Sequence, residues 1–264
     1  MLRTENLSKH FGGLRAVDRL DFHLEEGEVR GLIGPNGSGK STFFNLVSGI
    51  YKPDPGSRVW LNDEEITGIE PHRIAALGVA RTFQLLRMFS EMTVLENLMV
   101  GHHVHVGYGA VAATLGLRRV REEDGRVREE MMELLSTVGL ADYAVLPASE
   151  LSIGQRRLLA LGRAMAMRPR LLLLDEPAAG LSPVNVDNLL RIVMRLKERY
   201  GLTVVIVEHI LRVVMEVCGR VTVLDHGQKI GEGTPEEVRE NPAVVEAYLG
   251  REMDDDEVRA ALQG

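Results

Sequence analysis

The residues with the clearest chemical potential are Gly34-Pro35-Asn36-Gly37-Ser38-Gly39-Lys40-Ser41. Glycines at the first, fourth and sixth places let a loop wrap closely, so that backbone N–H groups point inward at an anion. Lys40 adds a positive charge able to reach the β- and γ-phosphates of a nucleotide, and the hydroxyl of Ser41, with Thr42 beside it, is placed for Mg²⁺. A second set lies at Leu171-Leu172-Leu173-Leu174-Asp175-Glu176, where an apolar run delivers two carboxylates. Asp175 suits water-mediated contact to Mg²⁺, and Glu176 suits orienting or deprotonating an attacking water. Alone, that pair could equally be a surface Asp-Glu at a strand end. With the glycine loop it points to a nucleoside triphosphatase.

Such groups work only if the chain holds them in place. Val29 to Ile33 is a short apolar run before the glycine loop, and Ser41 to Ile50 has helical spacing after it, giving strand, loop and helix. The helix start presents its positive end to the same anion. Leu171 to Leu174 and Thr203 to Val207 read as strands buried on both faces of a parallel sheet, with a helix over Val184 to Tyr200 between them. Leu2 to Leu7 and Val17 to Leu24 alternate with period two, Glu26-Gly27-Glu28 and Pro53-Asp54-Pro55-Gly56 mark turns, and Val59 to Leu61 is a further strand. From Met88 to Val138 helical periods dominate, with Val127, Met131, Leu134, Leu135 and Val138 on one face and Gly139 as the stop. Gly101 to Gly125 reads as irregular, with a basic cluster at Arg118, Arg119 and Arg121. Val221 to Leu224 and Lys229-Ile230 read as a hairpin around His226-Gly227.

Bulk properties narrow the class. The 264 residues are 45% hydrophobic and carry a net charge of -7, which argues against a protein held to nucleic acid by phosphate contacts. The single cysteine, Cys218, cannot form an internal disulfide and reads as a small buried residue. Met1 to Asn6 lacks the apolar centre of a signal peptide, and no run of about 20 apolar residues is present. His102, His103 and His105 lack a Cys or Asp at useful spacing and read as a surface loop, not a metal site. The acidic residues from Glu252 to Glu257 read as a solvated end.

Leu151-Ser152-Ile153-Gly154-Gln155 precedes an arginine- and leucine-rich helix shortly before the Leu-Asp-Glu strand. Read alone it is a helix cap. In this position the chain resembles the ATP-binding cassette (ABC) superfamily, whose signature usually reads Leu-Ser-Gly-Gly-Gln. The resemblance implies a P-loop α/β cassette with a RecA-like core, an antiparallel β-subdomain and a helical subdomain. Core and β-subdomain would take 1–85 and 166–264, and the helical subdomain 86–165. It also implies that Ser152, Gly154 and Gln155 clasp the γ-phosphate of ATP held by a second cassette. Gln84 matches the glutamine sensing Mg²⁺ and the attacking water, so the metal set becomes Ser41, Gln84 and Asp175. His209 matches the switch histidine at the γ-phosphate, Phe11 stacks on adenine with Val17 nearby, and Ala179-Gly180-Leu181-Ser182 matches the loop crossing the dimer interface. Ile153, Ser182 and Ile210 depart from the usual glycine, aspartate and aspartate, and none removes a catalytic group.

Phe11-Gly12-Gly13-Leu14-Arg15-Ala16-Val17, Arg81-Thr82-Phe83-Gln84, Met92 to Leu98, Asp175 to Leu181 and Tyr248-Leu249-Gly250 together resemble the ATP-binding subunits of branched-chain amino acid importers. Related cassettes serve urea and amide import or lipopolysaccharide export, and some ABC ATPases act on ribosomes or DNA. The resemblance implies a peripheral subunit on the cytoplasmic face of the inner membrane, using ATP and Mg²⁺. Its partners would be a related second cassette, transmembrane permease subunits and, indirectly, a solute-binding protein, with no nucleic acid. The surface from Phe89 to Leu98, including Met92 and Leu95, is expected to meet the permease.

Overall fold

A computed structural model of the chain describes residues 1–82, 88–105, 118–208 and 211–249, with backbone alone at 118–121, 211 and 249. Two sheets organise it. In the first, β1 (Leu2–Phe11) pairs antiparallel with β2 (Leu14–Leu24), Leu2 facing Leu24 and Phe11 facing Leu14. On its other edge β1 pairs with β4 (Arg58–Leu61), which continues into β5 (Glu64–Glu65). Along β2 the period-two pattern holds, with Leu20, Phe22 and Leu24 inward and Asp21 and His23 outward. The register slips between Thr4 and Leu7, and the buried Thr4 hydroxyl spans the slip, donating to Leu20 O at 2.8 Å and accepting the Phe22 N–H at 3.1 Å.

The second sheet has the order β10-β9-β3-β8-β7-β6. β3 (Val29–Ile33), β8 (Thr203–Val207), β7 (Leu171–Asp175), β6 (Val79–Thr82) and β9 (Arg220–Asp225) run parallel, and β10 (Gln228–Gly233) turns back antiparallel on β9. β3, β7 and β8 are buried throughout. Their side chains alternate between two separate cores. Leu171, Leu173, Val205 and Val207 pack with Phe22, Phe43 and Phe44 under the first sheet. Leu172, Leu174, Val204 and Ile206 pack with the helical face that includes Leu98, Met131 and Leu135. The sheet is thus a wall between the β-layer and the helical group.

The helices follow from their ends. α1 (Lys40–Val47) and the short α2 (Pro71–Ala76) lie in the first half of the chain. α3 (Val94–His102) starts at Thr93, whose hydroxyl accepts the Glu96 N–H while Glu96 accepts the Thr93 N–H, a complete capping box. α4 (Arg118–Val138) ends before Gly139 and buries Met131, Leu134, Leu135 and Val138. α5 (Ile153–Met165) packs on α3 and α4. α6 (Pro183–Tyr200), α7 (Leu211–Val217), α8 (Pro235–Glu240) and α9 (Pro242–Leu249) complete the order.

Three expectations need correction. Helix α4 begins at Arg118 and runs through Gly125, where the sequence reads as irregular. A glycine inside a long helix costs only about 1 kcal/mol relative to alanine, which a helix this long absorbs. The histidine stretch is not a surface loop throughout: His102 closes α3 at 4% exposure, and burial holds its imidazole below the usual histidine value. Leu95 is 3% exposed inside the helical core, so of the expected permease-facing pair only Met92, at 39%, reaches the surface, together with Phe89. The acidic tail lies outside the described residues.

Candidate nucleotide-binding and hydrolysis site

The C-terminal ends of three strands define the site. Register places Asp175 of β7 opposite Val207 of β8, and Val207 opposite Leu32 of β3. Two strand spacings separate β7 from β3, roughly 10 Å. The glycine loop, the Asp175-Glu176 pair and the segment leading to His209 therefore all leave the sheet along one edge, where open parallel sheets take ligands.

At β3 the chain passes from Ile33 into Gly34 at φ +147, and a Cβ there would stand 2.1 Å from Leu224 O. Gly39, at φ +107, would bring a Cβ within 2.4 Å of Ala16 O. Neighbouring turns hold the loop: Gly227 N–H donates to Ser38 O at 3.0 Å, and Asp18 N–H to Gly227 O at 2.9 Å. Val17 is fully buried beneath the loop, while Pro35 is half-buried and Asn36, Gly37 and Ser41 are exposed at its mouth. Gly39 caps α1 without any side-chain hydrogen bond, so the first N–H groups of the helix remain for an anion. The Lys40 ammonium folds over the loop, donating to Gly34 O (2.7 Å), Pro35 O (2.9 Å) and Ser38 Oγ (3.3 Å). Phe11 stands 43% exposed, T-shaped to Tyr51 at 5.3 Å and with Lys9 Nζ over its ring at 5.5 Å. Thr42 is half-buried beside Ser41.

At the end of β7, Asp175 is 5% exposed. Its carboxylate accepts Arg81 Nη2 at 2.7 Å, and Arg81 Nη1 reaches Asn45 Oδ1 on α1 at 2.7 Å. Arg81 thereby links the helix after the glycine loop to the acidic strand end. Glu176 takes the left-handed backbone, φ +47, and its N–H donates to Val207 O at 2.9 Å. In the turn that follows, Ala178 N–H donates to the buried Glu208 carboxylate at 2.7 Å, and Arg157 Nη2 donates to Ala179 O at 3.0 Å. Sequence reading missed Arg81, Arg157 and Glu208. The signal it had was a charge inside an apolar run, as at Val205-Ile206-Val207-Glu208.

Ser152 caps α5 with a full capping box: Gln155 N–H donates to Ser152 Oγ at 3.3 Å, and Ser152 N–H to Gln155 Oε1 at 2.9 Å. Ser152 and Ile153 are exposed, Ile153 at 60%, and Gly154 is half-buried against Asn185. Among the described residues no hydrogen bond joins this helix start to the glycine loop. Gln84 and His209 lie outside the described residues.

The groups fit a polyphosphate on their own geometry: a glycine cradle that a Cβ would fill, an uncapped helix start and a lysine over both. The neighbouring donors, the Ser41 hydroxyl and the Asp175 carboxylate, are hard oxygens. They suit Mg²⁺, which keeps several waters and shares ligands with phosphates.

A mostly parallel sheet carrying a glycine loop between β3 and α1, with paired carboxylates at the end of β7, defines a P-loop nucleoside triphosphatase. Residues 17–179 match the ABC transporter family, and residues 228–254 match the family described as branched-chain amino acid ATP-binding cassette transporter. The chain is 40% identical over 250 residues to the high-affinity branched-chain amino acid transport ATP-binding protein BraF of Pseudomonas aeruginosa, covering 95% of this chain and 98% of that protein. It is 38% identical to LivG of Escherichia coli K12 with the same coverage. Among solved structures, the ADP conformation of MJ1267, an ATP-binding cassette of an ABC transporter, superposes with a TM-score of 0.82 at 36% identity, covering 95% of this chain and 99% of that one. The chain belongs to the ABC transporter family as an ATP-hydrolysing cassette, and the resemblance read from its motifs holds.

Proposed function

We propose that this chain powers import of branched-chain amino acids, as one of two cassettes that close on ATP beneath a permease. The cargo rests on the branched-chain transport relatives and on the C-terminal match at 228–254. In this reading, which rests on the transport relatives, the subunit is peripheral, on the cytoplasmic face of the inner membrane; no described helix is long and apolar enough to cross a membrane. A solute-binding protein delivers cargo to the permease from the other side.

The observation that carries the mechanism is that the site is half built. The glycine loop, Lys40, Asp175 and Glu176 share one sheet edge, whereas the Ser152 end of α5 is exposed. In this reading the loop N–H groups of Gly34 to Gly39 and Lys40 hold the β- and γ-phosphates of ATP. Phe11 stacks on the adenine. Ser41, Asp175 through water, and Gln84 would hold Mg²⁺, which would supply charge neutralisation on the phosphates. Glu176 orients and deprotonates the attacking water, and His209 contacts the γ-phosphate. Ser152, Gly154 and Gln155 reach the γ-phosphate bound by the other cassette. Loss of that phosphate removes their contacts, and the pair reopens. The helical group within 86–165 then moves with its surface near Phe89 and Met92 against the permease.

Uptake of labelled leucine by cells carrying this chain with its native membrane partners tests the cargo, wild type beside Glu176→Gln. Uptake that collapses in the variant is expected. Uptake that persists, or is never present, contradicts the amino acid assignment and turns attention to urea, amides or lipid export.

A further inference from the structure

We propose that Arg157 and Glu208 are a pair of positioning residues that hold the turn after Glu176 and tie its geometry to α5. The inference rests on the reading of Glu176 as the hydrolytic base. A non-glycine residue in the left-handed region, as Glu176 is at φ +47, persists only where its surroundings over-determine it. Here the surroundings include three hydrogen bonds, two from the end of β8 and one from α5. Val207 O on β8 holds the Glu176 N–H, the Glu208 carboxylate holds the Ala178 N–H at 2.7 Å, and Arg157 on α5 holds the Ala179 carbonyl at 3.0 Å.

The chemistry of the two side chains fits this role better than packing does. Glu208 is 2% exposed, and a carboxylate that deep needs compensation. It receives a main-chain amide two residues beyond Glu176 and the field of Arg157. Burial holds the Arg157 guanidinium below its usual pKa, and the negative charges of Glu208 and Glu176 act against that. A cavity too small for more than about one water, lined by Thr82, Arg157, Leu161, Leu174, Pro177 and Val193, lies between α5, the turn and α6. Arg157 is thus a polar link between α5 and the turn. It starts five positions after Ser152, on the helix whose exposed end faces the second cassette in the reading above. A shift of α5 relative to the sheet pulls on the Ala179 carbonyl and, through the same turn, on Glu176.

The test measures MgATP hydrolysis and ATP binding for Glu208→Ala, Glu208→Gln, Arg157→Met and Arg157→Lys in the assembled transporter, with Glu176→Gln alongside. Removing either grip should lower kcat about tenfold or more while KM stays within about twofold, because the lost contact acts on the hydrolytic step. Glu208→Gln, which keeps an acceptor oxygen, and Arg157→Lys, which keeps a donor, should recover much of kcat. The losses in a Glu208→Ala, Arg157→Met double variant should fall short of additive, since both act on one turn. Folded variants with kcat within about twofold of wild type, or with KM raised at unchanged kcat, overturn the proposal. If Glu208→Ala does not fold, Arg157→Met and its rescue by lysine decide alone. Hydrolysis surviving in Glu176→Gln overturns the reading of the base and the proposal with it. Hydrolysis lost in Glu176→Gln but retained in the pair variants overturns the proposal only.

Discussion

Gly34 and Glu176 both take positive φ, for opposite reasons. At Gly34 the constraint is space: a Cβ would sit 2.1 Å from Leu224 O, a backbone atom that cannot swing aside. Gly34→Ala should therefore cost about 2–4 kcal/mol or displace the loop. Urea denaturation and a nucleotide titration check this together, and unchanged values in both would contradict the close-approach argument. At Glu176 the strain is held by the surrounding turn. Legibility follows the same divide. The glycine loop, Lys40 and the Asp-Glu pair were readable because their chemistry is written in consecutive residues. Arg81, Arg157 and Glu208 were not, because their partners lie 94, 22 and 30 residues away along the chain. A lone arginine in a strand does not reveal which carboxylate it will meet.

Among the elements, the strands and long helices with strong periodicity were legible, and the short ones were not. β6 and α2 are too brief to show a period. α8 carried a signal that was overlooked: Thr234-Pro235-Glu236-Glu237 is a capping box with proline in the first turn. β3 shows what pattern alone conceals. Its run from Val29 to Ile33 reads as apolar, yet it contains Arg30, buried at 2%. Arg30 is held by Glu28 at 2.5 Å, just before β3, and by Glu232 of β10 at 2.6 Å and the Thr222 hydroxyl of β9 at 3.0 Å. Burial raises the Glu232 pKa, but hydrogen bonds from Lys229 and Arg30 outweigh it and hold the carboxyl below the usual glutamate value. A carboxylate lowered on folding stabilises the native state above its unfolded pKa of about 4.3, and the contribution disappears as pH falls through the folded value. Glu232→Gln should thus cost about 1–2 kcal/mol near neutrality and flatten the acid limb of stability below about pH 5. Denaturation curves across that range check it, and parallel acid limbs for the two proteins would contradict it.

For the whole molecule, one sheet divides two cores and sends every described catalytic candidate to a single edge. The strand order that achieves this was not legible, because periodicity identifies buried strands without saying which neighbours they take. The exposed cap of α5 was legible as a motif, and its exposure gives the motif a direction. With Ile153 60% exposed, a folded single chain presents the signature outward, toward a surface it does not itself contain. In the proposed mechanism this surface is the nucleotide of a second cassette. Ile153→Glu tests it most directly. A glutamate in the first turn favours the helix through its dipole, so the fold should be retained, while a negative charge now faces the incoming γ-phosphate. The measurement is MgATP hydrolysis by the assembled transporter, beside ATP binding by the isolated chain. The account predicts hydrolysis reduced about tenfold or more, with binding to the chain's own loop within about twofold of wild type. Hydrolysis at the wild-type rate would contradict it.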